Sequence, residues 1–387
     1  MVAFSDSDTI SGLLQPDSVP RATAMAIVEA LRSGTVNRPV ARHLSVGRED
    51  MLDRLWRHIS DNPEGSAQVV VGRYGTGKTH LAERFVDLVE SRGYSVARVE
   101  LGAAHGRPEN PRGVLQSIES SLRLCIDGNL LHFPDEWPFV RLALEIPRWW
   151  PYGVTPELQG IHRQHSGRSN LWLRYRLIRQ VLGHRFCEDL RYLREWPYPH
   201  DDVPYPMTAA NHAVAATNAL AHLLREAGSR GLVILFDEAE RSEWAQTAYR
   251  AERAGDLLMG FARAASNLST DHLKHYRDIL HPVYRPQAPS LVHCVFFFTW
   301  LGGNATWLAN AVGATPIRIP PLSRLERQNL ERHIRMVYGD AYSCDGLALD
   351  QHSRRLVDQR LDDEDVRMFV RTLVAALDYQ RLHRGRR

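Results

Sequence analysis

The chain has 387 residues, 44% of them hydrophobic and 24% charged, with 48 Lys+Arg against 45 Asp+Glu and a formal net charge of +3. Such a composition excludes a disordered chain, a collagen-like repeat and a small disulfide-stapled scaffold; it suits one large domain with appendages or two domains. So slight a positive excess neither favours nor opposes a polyanionic partner. Lys78 and Lys274 are the two lysines, so nearly every positive charge is an arginine and a lysine at position 78 stands out. Cys125, Cys187, Cys294 and Cys344 lie far apart without a CxxC pair, which suits reduced thiols in a cytoplasmic protein.

Residues 1–20 are polar and acidic and read as a flexible leader rather than a secretory signal. The spacing of apolar residues predicts a helix from Thr23 to a Ser-Gly stop at Gly34, and a second over 48–59 with Met51, Leu52, Leu55, Trp56 and Ile59 on one face. Gln68-Val-Val-Val-Gly72 reads as a strand, the next residues to about Arg92 as a glycine loop and amphipathic helix, and Ser95–Leu101 as another strand. That βαβ unit implies a parallel sheet. Residues 129–206 change in character, with five of the nine tryptophans (Trp137, Trp149, Trp150, Trp172, Trp196) and many prolines, and read as an insertion carrying a helix near 169–195. Further elements follow: a helix at 208–227, buried strands at 231–236 and 291–298, a short strand at 316–320, and only helices beyond 322. The expected organisation is a leader (1–20), a core (21–128 and 207–321), the insertion (129–206) and a helical C-terminal lid (322–387).

Gly72-x-x-x-x-Gly77-Lys78-Thr79 matches the P-loop pattern in full. Glycines let the backbone wrap a phosphate closely, and the N-terminus of the following helix adds its dipole. Gly72, Arg73, Tyr74, Gly75, Thr76, Gly77, Lys78, Thr79 and His80 are therefore the candidate nucleotide-binding residues. Lys78 would reach the β- and γ-phosphates and the Thr79 hydroxyl would hold Mg²⁺. Leu232-Val-Ile-Leu-Phe-Asp237-Glu238 supplies the matching apolar strand with carboxylates at its C-terminal end, where α/β sheets bind ligands. Asp237 would complete the Mg²⁺ shell and Glu238 would act as general base on water.

Thr299, after the 291–298 strand, either senses the γ-phosphate or merely caps the strand; Asn304 is a second candidate for that task. Arg367 either swings onto the nucleotide or pairs with Asp362, Asp363, Glu364 and Asp365. The aromatic insertion suits base stacking, a partner surface or plain packing. His162 and His165 are too few for a zinc site, and Arg384-Gly-Arg-Arg387 reads as a solvated tail.

With both nucleotide motifs in this order, the chain resembles the ASCE division of P-loop ATPases, and within it the AAA+ and origin-recognition-like groups. Val46-Gly-Arg-Glu49 is similar to the segment that closes over adenine there, and Pro316-Ile-Arg-Ile-Pro-Pro-Leu-Ser323 resembles the approach to their lid helices. Closer still, Ala26-Ile-Val-Glu-Ala-Leu-Arg-Ser-Gly34, Val46-Gly-Arg-Glu49, Gly72–His80 and Phe236-Asp-Glu-Ala-Glu240 are similar to BrxD-like ATP-binding proteins of bacteriophage-exclusion (BREX) systems. The resemblance implies an anti-phage ATPase using ATP and Mg²⁺ and working on DNA or with a partner helicase; an arginine supplied by a neighbouring subunit of an oligomer is the open alternative to Arg367. The residues also suit a slowly hydrolysing, nucleotide-gated adaptor, or a small-molecule kinase with its acceptor pocket in 129–206. The fold expected is an α/β P-loop core with five parallel strands in the order 5-1-4-3-2.

Overall fold

The computed structural model describes residues 19–102, 107–126, 129–131, 209–226, 228–244, 247–270, 273, 289–344, 348–361 and 365–383. The leader up to residue 18, nearly all of the aromatic insertion, including the helix expected near 169–195, and the 384–387 tail lie outside them. Seven strands are described: β1 (Ser66–Val71), β2 (Ser95–Glu100), β3 (Leu124–Ile126), β4 (Asn129–Leu131), β5 (Leu232–Asp237), β6 (Val292–Phe298) and β7 (Ile317–Arg318). The helices are α1 (Arg21–Ser33), α2 (Arg38–His43), α3 (Glu49–Ser60), α4 (Lys78–Ser91), α5 (Pro111–Ser121) and α6 (Ala209–Glu226). They continue as α7 (Ala248–Ala265), α8 (Gly303–Ala311), α9 (Arg324–Tyr342), α10 (Gln351–Gln359) and α11 (Val366–His383).

The protein is a mixed α/β molecule with a five-stranded parallel sheet in the order β2-β5-β6-β1-β7, flanked by helices. Counted along the chain without the β3–β4 hairpin, that is the expected 5-1-4-3-2 order met from its other edge. Ser95 through Glu100 run in register with Leu232 through Asp237, so Glu100 lies opposite Asp237. β5 and β6 are buried at every position, which is why both read as apolar runs, interrupted only by His293 and ended by Asp237, rather than as alternating ones. The antiparallel β3–β4 hairpin was not legible, because three-residue strands carry no usable period.

The described chain divides into two compact units, one within Met1–Trp56, Val71–Leu88 and Ile317–Arg387, the other within Arg57–Val70 and Val89–Pro316. In the first, α1 packs with α9 and α11 around Ile27, Leu31, Ile334, Tyr338, Phe369 and Leu373. α1 ends at Gly34, whose φ of 71° turns its N–H back onto the last carbonyls. α9 opens on a reciprocal cap between Ser323 and Glu326. Arg32 of α1 joins Asp378 of α11 at 2.8 Å, and the Tyr338 hydroxyl donates to the same carboxylate at 2.8 Å. In the second unit, α5, α6 and α7 cover the sheet, and the rings of Phe236 and Phe296 stack at 4.9 Å. His293 is buried there with Nδ1 2.9 Å from the Ser66 hydroxyl, and burial pulls its pKa down to about 3.

Candidate functional site

The phosphate loop begins where β1 ends. The Val71 carbonyl accepts from the Ile319 amide at 2.8 Å, which fixes the strand end, and Gly72 follows. A Cβ on Gly72 would sit 2.8 Å from Thr76 Oγ1 and 2.9 Å from Ile319 Cβ, so only glycine fits. Gly75 and Gly77 have φ of 79° and 94°, conformations that strain any other residue. The loop is folded on itself: Lys78 Nζ donates to the Gly72 carbonyl at 2.8 Å, and Thr76 Oγ1 donates to Arg73 O at 2.8 Å. The Leu81 amide bonds to Gly77 O at 2.9 Å, so the helix begins at Lys78 with its first-turn amides beside the loop. These residues fit a polyphosphate: three glycines without side chains to crowd it, one buried lysine and a helix N-terminus.

Arg73 and Tyr74 are exposed, while Gly75, Gly77, Thr79 and His80 are half-buried. Two further segments brace the loop. Arg48, buried at 3% exposure, donates from Nη2 to Thr76 O at 2.8 Å. Burial lowers its pKa, and Glu326 and Glu49 oppose that shift. The start of α11 arrives from the other end of the sequence, with the Val366 amide 3.2 Å from Gly75 O. Arg367 lies over the Tyr74 ring, Cζ 4.9 Å from its centre, and Nη1 reaches the Tyr74 hydroxyl at 2.5 Å. The structure thus brings Arg367 to the loop; Asp365, its described acidic neighbour, takes its backbone amide. The His80 Nε2 is shut from solvent without a partner, and burial, with Arg48 and Arg84 adding to it, lowers the ring's pKa to about 4. His80 is therefore neutral at pH 7.

The carboxylates occupy the end of β5. Asp237 is 3% exposed, and its Oδ2 accepts from Arg98 Nη2 at 2.7 Å while Oδ1 accepts from the Glu238 amide at 3.0 Å. Glu238 adopts a left-handed backbone (φ 55°, ψ 40°), which costs a non-glycine residue on the order of 1 kcal/mol. Its Oε2 pairs with Arg241 Nε at 2.7 Å. Thr299 donates both its amide and its hydroxyl to the buried carboxylate of Glu240. Asn304 gives its amide to Glu243 at 2.6 Å and its Nδ2 to the Ser242 hydroxyl at 2.8 Å. Among the described residues no cluster of three His, Cys, Asp or Glu side chains suits a metal ion. A Mg²⁺ here would rely on one or two protein oxygens and the nucleotide's phosphates, which is its usual mode.

Residues 19–116 match the family model described as BREX system ATP-binding protein BrxC/D. Over that segment the chain is BrxC/D-like. The match contains the loop 72–79, α1 and Arg48. No curated protein matches the chain.

The sequence reading missed Arg98, Arg241, Glu240 and Glu243 as partners of the expected site residues. Two signals were available: a lone arginine inside the apolar strand Ser95-Val-Ala-Arg98-Val99, and an acid–base pair three apart at Glu238 and Arg241.

Proposed function

We propose that the chain is a P-loop ATPase of the AAA+ type, using ATP and Mg²⁺, that acts as a motor or switch in anti-phage defence on DNA or with a partner helicase. The observation that carries this reading is the closed glycine loop with Lys78 held on Gly72 O, at the start of α4 and inside the BrxC/D-like segment. Mg²⁺, when bound with the nucleotide, would supply positive charge to the charge that develops on the transferred group. Backbone amides of 72–79 would hold the phosphates and Lys78 would turn from its carbonyl contacts onto the β- and γ-oxygens. Thr79 and Asp237 would hold the metal. Glu238 would orient water and take its proton, and Thr299 would position that water through the hydroxyl now bonded to Glu240. Arg367, already at the loop, would read the γ-phosphate charge. The helices after 322 would act as the lid that reports nucleotide state, and a cytoplasmic setting is consistent with there being no described helix long and apolar enough to cross a membrane.

A second reading has its own support. Glu238 is paired with Arg241 and Asp237 with Arg98, an arrangement in which the general base is engaged elsewhere. A nucleotide-gated adaptor that hydrolyses slowly would look like this. Turnover by the purified protein, with and without single- and double-stranded DNA, decides between them. The ATPase reading expects hydrolysis that Lys78→Ala and Glu238→Gln abolish, with ATP binding retained in Glu238→Gln. A near-zero wild-type rate, unchanged by Glu238→Gln, supports the adaptor.

A further inference from the structure

The five-residue 3₁₀ turn Ala239–Glu243 is joined to the loop after β6 by the Glu240–Thr299 bonds and to the start of α8 by the Glu243–Asn304 and Ser242–Asn304 bonds. At its outer end two tryptophans meet in water: Trp244 is 57% and Trp300 39% exposed, with ring centres 5.7 Å apart and planes 26° from parallel. Indoles usually bury most of their surface, and two stacked rings left open present a contiguous flat apolar face to solvent. Arg241 lies against Trp244, its Cζ 5.6 Å from the ring centre, and the exposed Tyr249 carries Arg253 in the same way at 5.8 Å. Flat π-faces accompanied by guanidinium groups complement a base and its phosphate. Of the large exposed apolar side chains among the described residues of 244–307, Trp244, Tyr249, Trp300 and Trp307 are aromatic, and only Leu268 and Leu301 are aliphatic.

We propose that Trp244 and Trp300, with Arg241 beside them, form a stacking platform for single-stranded nucleic acid, and that occupying it releases Glu238. Arg241 serves two partners, with Nε on Glu238 at 2.7 Å and its guanidinium on Trp244. Both members of the ion pair are more than a third exposed, so the pair is weak and an incoming phosphate competes for the same guanidinium. Losing Arg241 frees the Glu238 carboxylate for water. The platform needs no assumption about hydrolysis, whereas the release step rests on the ATPase reading above.

The test has two arms. Binding of a fluorescein-labelled twelve-nucleotide oligo-dT is followed by anisotropy at low salt for the wild-type chain, Trp244→Ala and Trp300→Ala, with folding checked by circular dichroism. We expect each substitution to weaken binding about tenfold, the scale of one lost stacking contact. A wild-type protein that does not bind the oligonucleotide, or variants that bind it as well as wild type, overturns the platform, and the exposed indoles then belong to a protein contact. In the second arm, oligo-dT should raise kcat for ATP with KM unchanged, and Trp300→Ala should keep the basal rate and lose the stimulation. Arg241→Gln should raise the basal kcat without oligonucleotide. No rise overturns the release step while leaving the platform standing. A wild type that never hydrolyses ATP, yet binds oligo-dT through both tryptophans, identifies the ATPase reading as the part that failed.

Discussion

Replacing Arg98 with methionine tests how Asp237 is held. The Asp237 side chain is 4% exposed and the Arg98 guanidinium, 25% exposed, approaches its Oδ2 at 2.7 Å. Breaking a fully buried ion pair costs about 3–5 kcal/mol, because the remaining charge is left in a poor dielectric. Arg98 is a quarter exposed, and the Glu238 amide still bonds Oδ1, so the loss falls below that range, at about 2–3 kcal/mol. Methionine keeps most of the stem's packing, which isolates the charge. Urea denaturation with the wild type alongside measures the loss. Asp237→Asn in the same background should recover much of it, since a neutral amide has no charge to strand. An Arg98→Met loss below about 0.5 kcal/mol, the level of an ordinary surface change, would refute the reasoning. So would a double variant no more stable than the single one.

Gly75→Ala should destabilise by more than 1 kcal/mol in urea and weaken ATP binding, since φ is 79° and the new Cβ would lie 3.3 Å from Asp365 Cα and closer to its carboxyl. Ser323→Ala removes half of the reciprocal cap on α9 and should cost about 1 kcal/mol by the same assay. His293 binds its proton about three pH units harder in the unfolded chain, from a free value of 6.5 to about 3 when buried, and His80 falls in the same sense to about 4. The unfolded chain therefore takes up more protons between pH 6.5 and 3, and stability is full above 6.5 and lost as pH falls through that window. The slope approaches about 1.4 kcal/mol per pH unit for each such histidine. His293→Gln should flatten the acid limb of a plot of Tm against pH; an unchanged limb would remove His293 from the explanation.

The strands, the glycine loop and the acidic end of β5 were legible because each is written locally. Val69–Val71, Leu232–Phe236 and Val292–Phe298 are apolar runs with no polar face, which only a strand buried on both sides supports. Gly72 through Thr79 is a contiguous motif whose glycines the backbone angles require. Thr299 was named but not its partner: the hydroxyl goes to Glu240, 59 residues away, and nothing local records that pairing. Arg367 was named with two alternatives, and the structure gives its side chain to Tyr74, 293 residues distant, rather than to Asp365.

Sequence alone therefore determined the individual strands and the phosphate loop, since periodicity and backbone freedom are properties of neighbouring residues, while the expected strand order came from the resemblance to P-loop ATPases, because strand pairing joins residues distant in the chain. Only the tertiary structure decided which arginine meets which carboxylate. Almost every cation in this chain is an arginine, so residue type cannot select among them. Arg98 meets Asp237 because the two β-strands pair in one register, and Arg241 meets Glu238 because the chain turns back in a left-handed step at that glutamate.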